Sequence, residues 1–189
     1  DGFCPPGQGS SCVAPLGYWK MEENSGTTAY DTSGNGYNAV FRSSLTAGDW
    51  TLGKFGHGIS LAGLNRYLLV TQSTAFDFGT STPFTVGSWV KVQDNNNQQT
   101  IVTHTSAVSG GFELMLQNNT DNTFRAYIKG VGSTYCTVKS ASTSVSDGRW
   151  HYLTAVFNRN ATCTTSDILL YIDGVKETTT VSESTALSD

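Results

Sequence analysis

Val145-Ser146-Asp147-Gly148-Arg149-Trp150-His151-Tyr152-Leu153-Thr154-Ala155-Val156-Phe157 opens the stretch that decides the fold, and Ile168-Leu169-Leu170-Tyr171-Ile172-Asp173-Gly174-Val175 closes it. Both apolar runs are short, rich in β-branched and aromatic residues, and bounded by Gly or Asp. That pattern predicts strands rather than helices. Asp173-Gly174 predicts a two-residue hairpin, because both central residues of a type I′ turn need φ > 0. Asp147-Gly148 marks a turn into the strand of Trp150 in the same way. A Trp, a Phe and two Tyr give these strands a large apolar payload. They are expected to be core strands with neighbours on both edges.

Moving outward, further short strands are expected at residues 17–23, 37–42, 59–62, 66–71, 84–92, 101–105, 112–117, 124–129 and 134–139. In 84–92 the residues Phe84, Val86, Val90 and Val92 alternate onto one face. Phe112, Leu114 and Leu116 are expected inward, with Glu113, Met115 and Gln117 outward. Phe124, Ala126 and Ile128 are expected inward, with Arg125, Tyr127 and Lys129 outward. No segment of helical length carries a 3.6-residue period. Short strands every 8–12 residues or so predict an all-β sandwich or barrel.

Composition narrows the class of partner. A length of 189 residues suits one domain with a sizeable core. The net charge of -4 speaks against nucleic acid or an anionic membrane as partner. No apolar run approaches the ~20 residues of a membrane span. The chain begins at Asp1 without a signal-peptide core, so it reads as a processed chain or a piece of a longer one.

Cys4, Cys12, Cys136 and Cys163 are even in number and lack a CxxC spacing. Disulfides and an oxidising, extracellular or cell-surface compartment follow. Three pairings are open. Cys4–Cys12 with Cys136–Cys163 is the favoured set: the first closes a Pro/Gly/Ser arm over residues 1–15, and the second ties a strand to a Thr-rich loop. Residues 16–189 then form the β domain. Asn118 and Asn160 sit in N-glycosylation sequons.

Six motifs occur in one order: Trp19-Lys20-Met21-Glu22-Glu23-Asn24-Ser25-Gly26, Asp31-Thr32-Ser33-Gly34-Asn35-Gly36, Gly53-Lys54-Phe55-Gly56-His57-Gly58, Phe84-Thr85-Val86-Gly87-Ser88-Trp89-Val90-Lys91, Asp147-Gly148-Arg149-Trp150-His151, and Leu170-Tyr171-Ile172-Asp173-Gly174-Val175. Over residues 17–175 the chain resembles laminin G-like domains of the concanavalin A-like lectin/glucanase superfamily, bacterial type. The resemblance implies a jelly-roll sandwich of two antiparallel sheets, with Trp89 and Trp150 in the core. Such domains continue past the Asp-Gly hairpin through two more strands, which are expected to be missing here. An open edge is therefore expected beside residues 18–21, covered by a neighbouring subunit or by further chain.

The chemistry reads as binding. Glycan cleavage needs two carboxylates at fixed separation. Glu22, Glu23, Glu113, Glu177 and Glu183 show no such spacing, and adjacent Glu22 and Glu23 would face opposite sides of a strand. His57, His104 and His151 make neither a zinc spacing nor a triad. Glu23, Asp31 and Asn35 offer hard oxygen donors on a turn-rich loop, as Ca²⁺ prefers. The resemblance points to a structural calcium as well. The competing reading is that Asp31 and Asn35 cap turns. The outward residues Arg125, Tyr127, Lys129 and Gln117, with Met115, form the expected face for carbohydrate or an extracellular protein. The expected function is a secreted, non-catalytic recognition or adhesion module. The alternatives are a structural subunit of a surface assembly and a degenerate glycanase.

Overall fold

A computed structural model describes residues 13–63, 65–71, 73–79, 82–93, 97–106, 110–117, 121–130, 134–142, 144–158 and 163–184. The chain divides into two compact units, Asp1–Ser73 and Thr74–Asp189.

In the second unit the stretch 145–175 does what its pattern predicts. β11 (Asp147–Phe157) lies between β6 (Phe84–Gln93) and β12 (Ile168–Ile172), and β12 turns back through Asp173-Gly174 into β13 (Val175–Lys176). Asp173 and Gly174 both take positive φ, 53° and 81°, as the hairpin requires. The resulting order β13-β12-β11-β6 is one sheet. The other holds β7 (Gln98–Ser106), β8 (Gly110–Gln117), β9 (Thr123–Lys129), β10 (Tyr135–Ser140) and β14 (Thr179–Ser184), in the order β14-β10-β9-β8-β7. All pairings are antiparallel. The inner faces supply one core in which Phe112, Leu114, Phe124, Val138, Leu153, Phe157, Ile168 and Leu170 are buried, with Phe84, Val86, Val90 and Val92 packed against it. The protein is an all-β jelly-roll sandwich.

Cys136 on β10 is bonded to Cys163, ahead of β12, so the bridge joins an element of one sheet to the approach of the other. Cys4 and Cys12 and both sequons lie outside the described residues.

The first unit carries β1 (Thr28–Ala29), β2 (Ala39–Ser43) and β5 (Arg66–Val70) in one sheet, order β1-β2-β5. β3 (Trp50–Leu52) and β4 (His57–Ile59) form a hairpin. Ala29, Ala39, Phe41 and Leu45 are the buried hydrophobic residues described in this unit, and the Phe41 and Trp50 rings lie 5.3 Å apart.

Three expectations need correction. Residues 17–23 are not a strand: Met21 and Asn24 take left-handed φ, 59° and 50°, and only Trp19 makes a bridge, to Asp31. The open edge expected beside residues 18–21 therefore has no strand to belong to. The Thr/Ser-rich tail does not follow the last strand, because its residues Thr179–Ser184 are themselves a strand on β10. Finally, the strand expected at 59–62 is shifted to His57–Ile59.

Candidate functional site

Strand alternation decides which side chains are available for binding. On β6 the exposure alternates along all ten residues, with Phe84, Val86, Val90 and Val92 facing the core. Thr85, Gly87, Trp89, Lys91 and Gln93 must then face outward. On β11, Leu153, Ala155 and Phe157 are fully buried, so Trp150, Tyr152, Thr154 and Val156 face the same outer side. Trp89 and Trp150, expected in the core, are thus outer-face residues. Trp89 and Tyr152 are each 38% exposed.

The register places these side chains in rows across the sheet. Lys91 pairs with Trp150, and Trp89 with Tyr152. The next row runs Gly87, Thr154, Tyr171, Lys176, and the one after it Thr85, Val156, Leu169. Successive rows stand about 7 Å apart, two residues along a strand. The Trp89 and Tyr152 rings have centroids 5.3 Å apart and planes tilted by 45°. Tyr152 leans over Gly87: a Cβ there would stand 2.6 Å from Tyr152 Oη. The missing side chain at Gly87 lets the phenol lie down along the sheet. Beyond Leu169 and Lys176 the surface dips into a shallow groove edged by Glu177 and by the hydroxyls of Thr165, Ser166 and Thr178.

One end of the platform is braced from below. Asp173 Oδ1 accepts the Tyr152 N–H at 2.8 Å, and its Oδ2 meets His151 Nδ1 at 2.7 Å. His151 Nε2 meets Asp147 Oδ1 at 3.2 Å. Two carboxylates on one imidazole require both ring nitrogens to donate, which only imidazolium does. Burial pushes the His151 pKa down, but hydrogen bonds and charge from Asp173 and Asp147 outweigh it, and the net direction is up.

The other expected face is less open. Arg125, Tyr127 and Lys129 alternate outward on β9 as expected, but all are half-buried, and Met115 beside Arg125 is buried. Asp121 accepts from Arg125 Nη2 and from Lys139 Nζ, both at 2.9 Å, so both cations are already held. Burial raises the Asp121 pKa, yet the Thr123 hydroxyl and these two cations bring it to about 2. The Tyr127 and Tyr135 rings stack at 5.9 Å. The Gln117 side chain lies outside the described residues.

The expected calcium ligands are each engaged with the chain. Asp31 Oδ1 accepts the Tyr18 and Ser33 N–H groups, and Oδ2 accepts the Tyr37 N–H and the Ser33 hydroxyl. All its acceptor positions serve the chain. Asn35 donates its side-chain N–H to the Leu16 carbonyl. Glu23 Oε1 accepts from Tyr30 N–H, while Oε2 is buried without a hydrogen-bond partner among the described residues. Among the described residues no three His, Cys, Asp or Glu side chains gather as a metal site. The hydrogen bonds around Asp31 are those of an Asx-type brace.

The other glutamates each hold a separate partner. Glu22 accepts the His57 N–H, Glu113 the Thr100 hydroxyl and Glu177 the Ser142 N–H. The Glu183 side chain lies outside the described residues.

Among the described residues no helix is long and apolar enough to cross a membrane. Residues 63–189 match the Laminin_G_3 model of the concanavalin A-like lectin/glucanases superfamily. Comparison with curated proteins returns no match.

Proposed function

The chain belongs to the concanavalin A-like lectin/glucanases superfamily as a laminin G-type domain, and from that premise we propose that it is an extracellular, non-catalytic recognition module that binds carbohydrate on the outer face of the β6-β11-β12 sheet. One observation carries the reading: Trp89 and Tyr152, paired across two strands, are both exposed on a rigid sheet with a glycine beneath the phenol. Burying large aromatics is the normal outcome of folding, and leaving two side by side with more than a third of each exposed has a cost that binding can recover. The negative face of an aromatic ring attracts the C–H face of a sugar ring, while the Tyr hydroxyl and Thr154 can serve its hydroxyl groups. The Cys136–Cys163 bond suits an oxidising compartment. The scattered glutamates support a binding role over glycan cleavage.

A glycan array followed by calorimetry on the best ligand tests this. The parent chain should bind, and Trp89→Ala should weaken binding about tenfold or more, as loss of an aromatic anchor does. Tyr127→Ala should leave affinity unchanged. Full affinity in Trp89→Ala would contradict the assignment.

A further inference from the structure

We propose that Asn35-Gly36 is a site of spontaneous succinimide formation, a self-modification that cuts one tie within the first unit. It is the single Asn-Gly step in the sequence. An Asn side chain can be attacked by the backbone nitrogen of the residue that follows it, closing a five-membered ring. Such a closure is fast where the two atoms meet without obstruction. Three observations mark this step. Both residues are exposed. The space where a Cβ of Gly36 would stand holds no atom within 4 Å, and its φ of 79° is one that L side chains rarely take. The Gly36 carbonyl accepts the Asn38 N–H, while the Gly36 N–H donates no hydrogen bond among the described residues. Asn38 is the contrast. Its Oδ1 accepts the Asp31 N–H, and the nitrogen that would attack it belongs to buried Ala39 on β2.

Water is the only co-reactant. The Gly36 nitrogen loses its proton and bonds to Asn35 Cγ. The Cγ–Nδ2 bond breaks, and Nδ2 leaves as ammonia. One water then opens the ring at either carbonyl, which leaves an aspartate or an isoaspartate at position 35. Asn35 Nδ2 donates to the Leu16 carbonyl at 3.0 Å before the reaction. A carboxylate only accepts, so both products lose this bond and set a negative charge near the same oxygen. The neighbouring ties join the same two segments: Thr32 N–H to the Tyr18 carbonyl at 2.8 Å, and Tyr18 N–H to Asp31 at 2.9 Å. The modification therefore loosens residues 16–18 from residues 31–35.

Ageing the folded chain at neutral and mildly alkaline pH tests the inference. Digests are read by fragmentation mass spectrometry, and an isoaspartyl methyltransferase labels the isoaspartate. Position 35 should gain one mass unit, faster at the higher pH because the attacking nitrogen must give up its proton. Asn24 and Asn38 should stay intact over the same period. Asn35→Gln, whose longer side chain cannot close a five-membered ring, should gain no mass at that position. Hydrogen exchange at the Tyr18 and Thr32 amides should be severalfold faster in the aged chain and in Asn35→Asp than in the fresh parent. An intact Asn35 in the folded chain, after a urea-unfolded sample has fully converted, would show that the fold protects this step and would overturn the proposal. Conversion of Asn38 at the same rate would overturn it as well. Unaltered exchange in the aged chain would overturn the loss of the tie.

Discussion

Gly87 gives the platform its shape. A Cβ at this position would stand 2.6 Å from Tyr152 Oη and 3.0 Å from Cζ, and 3.3 Å from Thr154 Oγ1. The obstacle is the far end of a side chain that can swing. Gly87→Ala should therefore keep the fold, with the gain of a better strand residue, up to about 1 kcal/mol, offsetting the crowding. Its glycan affinity should fall severalfold as the phenol lifts off the sheet. Calorimetry alongside a melting curve reads both, and unchanged affinity would show that the phenol's pose is irrelevant. Asp31 gives a second residue-level expectation. Its carboxylate accepts four donors, and their loss in Asp31→Ala should cost about 2 kcal/mol. Melting in chelator and in millimolar calcium should show the same deficit; a deficit seen only with calcium present would restore a metal role. His151 supplies the pH dependence. Its folded pKa is raised, so its contribution is complete below the ordinary histidine value and fades as pH rises through the folded one. Urea midpoints of the parent should drop relative to His151→Gln as pH rises through that interval, and parallel curves would contradict the double-carboxylate brace.

At the scale of elements, two ties set how the five-stranded sheet behaves. Cys136–Cys163 closes a separation of 27 residues, which on the chain-entropy account stabilises by about 3 kcal/mol. Replacing both cysteines with alanine should lower the melting temperature accordingly, without moving the binding face. Asp121 links Arg125 on β9 to Lys139 on β10. Its pKa near 2 means that this tie is present above the ordinary aspartate range and lost as pH falls toward 2. Solvent screening keeps the worth of the tie near 1 kcal/mol.

β6 shows how far such elements are legible in sequence. The alternation of Phe84, Val86, Val90 and Val92 fixes the inner face, and by the same parity it puts Trp89 outside. The expectation of a core tryptophan came from the resemblance, and the period-2 rule overrules it. β11 and β12 were equally legible, because apolar alternation and an Asp-Gly turn agree there. Residues 17–23 were not: apolar content suggests a strand, while the left-handed φ of Met21 and Asn24 depends on contacts distant in sequence, such as Asp31 with the Tyr18 N–H. The strand in the Thr/Ser-rich tail was hidden for a related reason. Thr179–Ser184 lacks the apolar alternation of an inner strand and is defined by its pairing with β10.

For the whole molecule, the unit Thr74–Asp189 carries both sheets of the sandwich, its own core and the proposed face. Its aromatic rows lie on β6 and β11, which pair after the chain has passed through the other sheet. The two faces of the sandwich offer competing locations for a ligand. One presents Trp89, Tyr152, Lys91 and Lys176; the other presents Tyr127, Lys129 and Tyr135, with Arg125 and Lys139 committed to Asp121. Amide and indole chemical-shift mapping by NMR, with the best oligosaccharide from the array titrated into the labelled chain, separates them in one experiment. The account predicts that the largest shifts fall on the Trp89 indole N–H and on the amides of Gly87, Lys91, Tyr152 and Lys176. Shifts concentrated instead at Arg125, Tyr127 and Lys129 would contradict it.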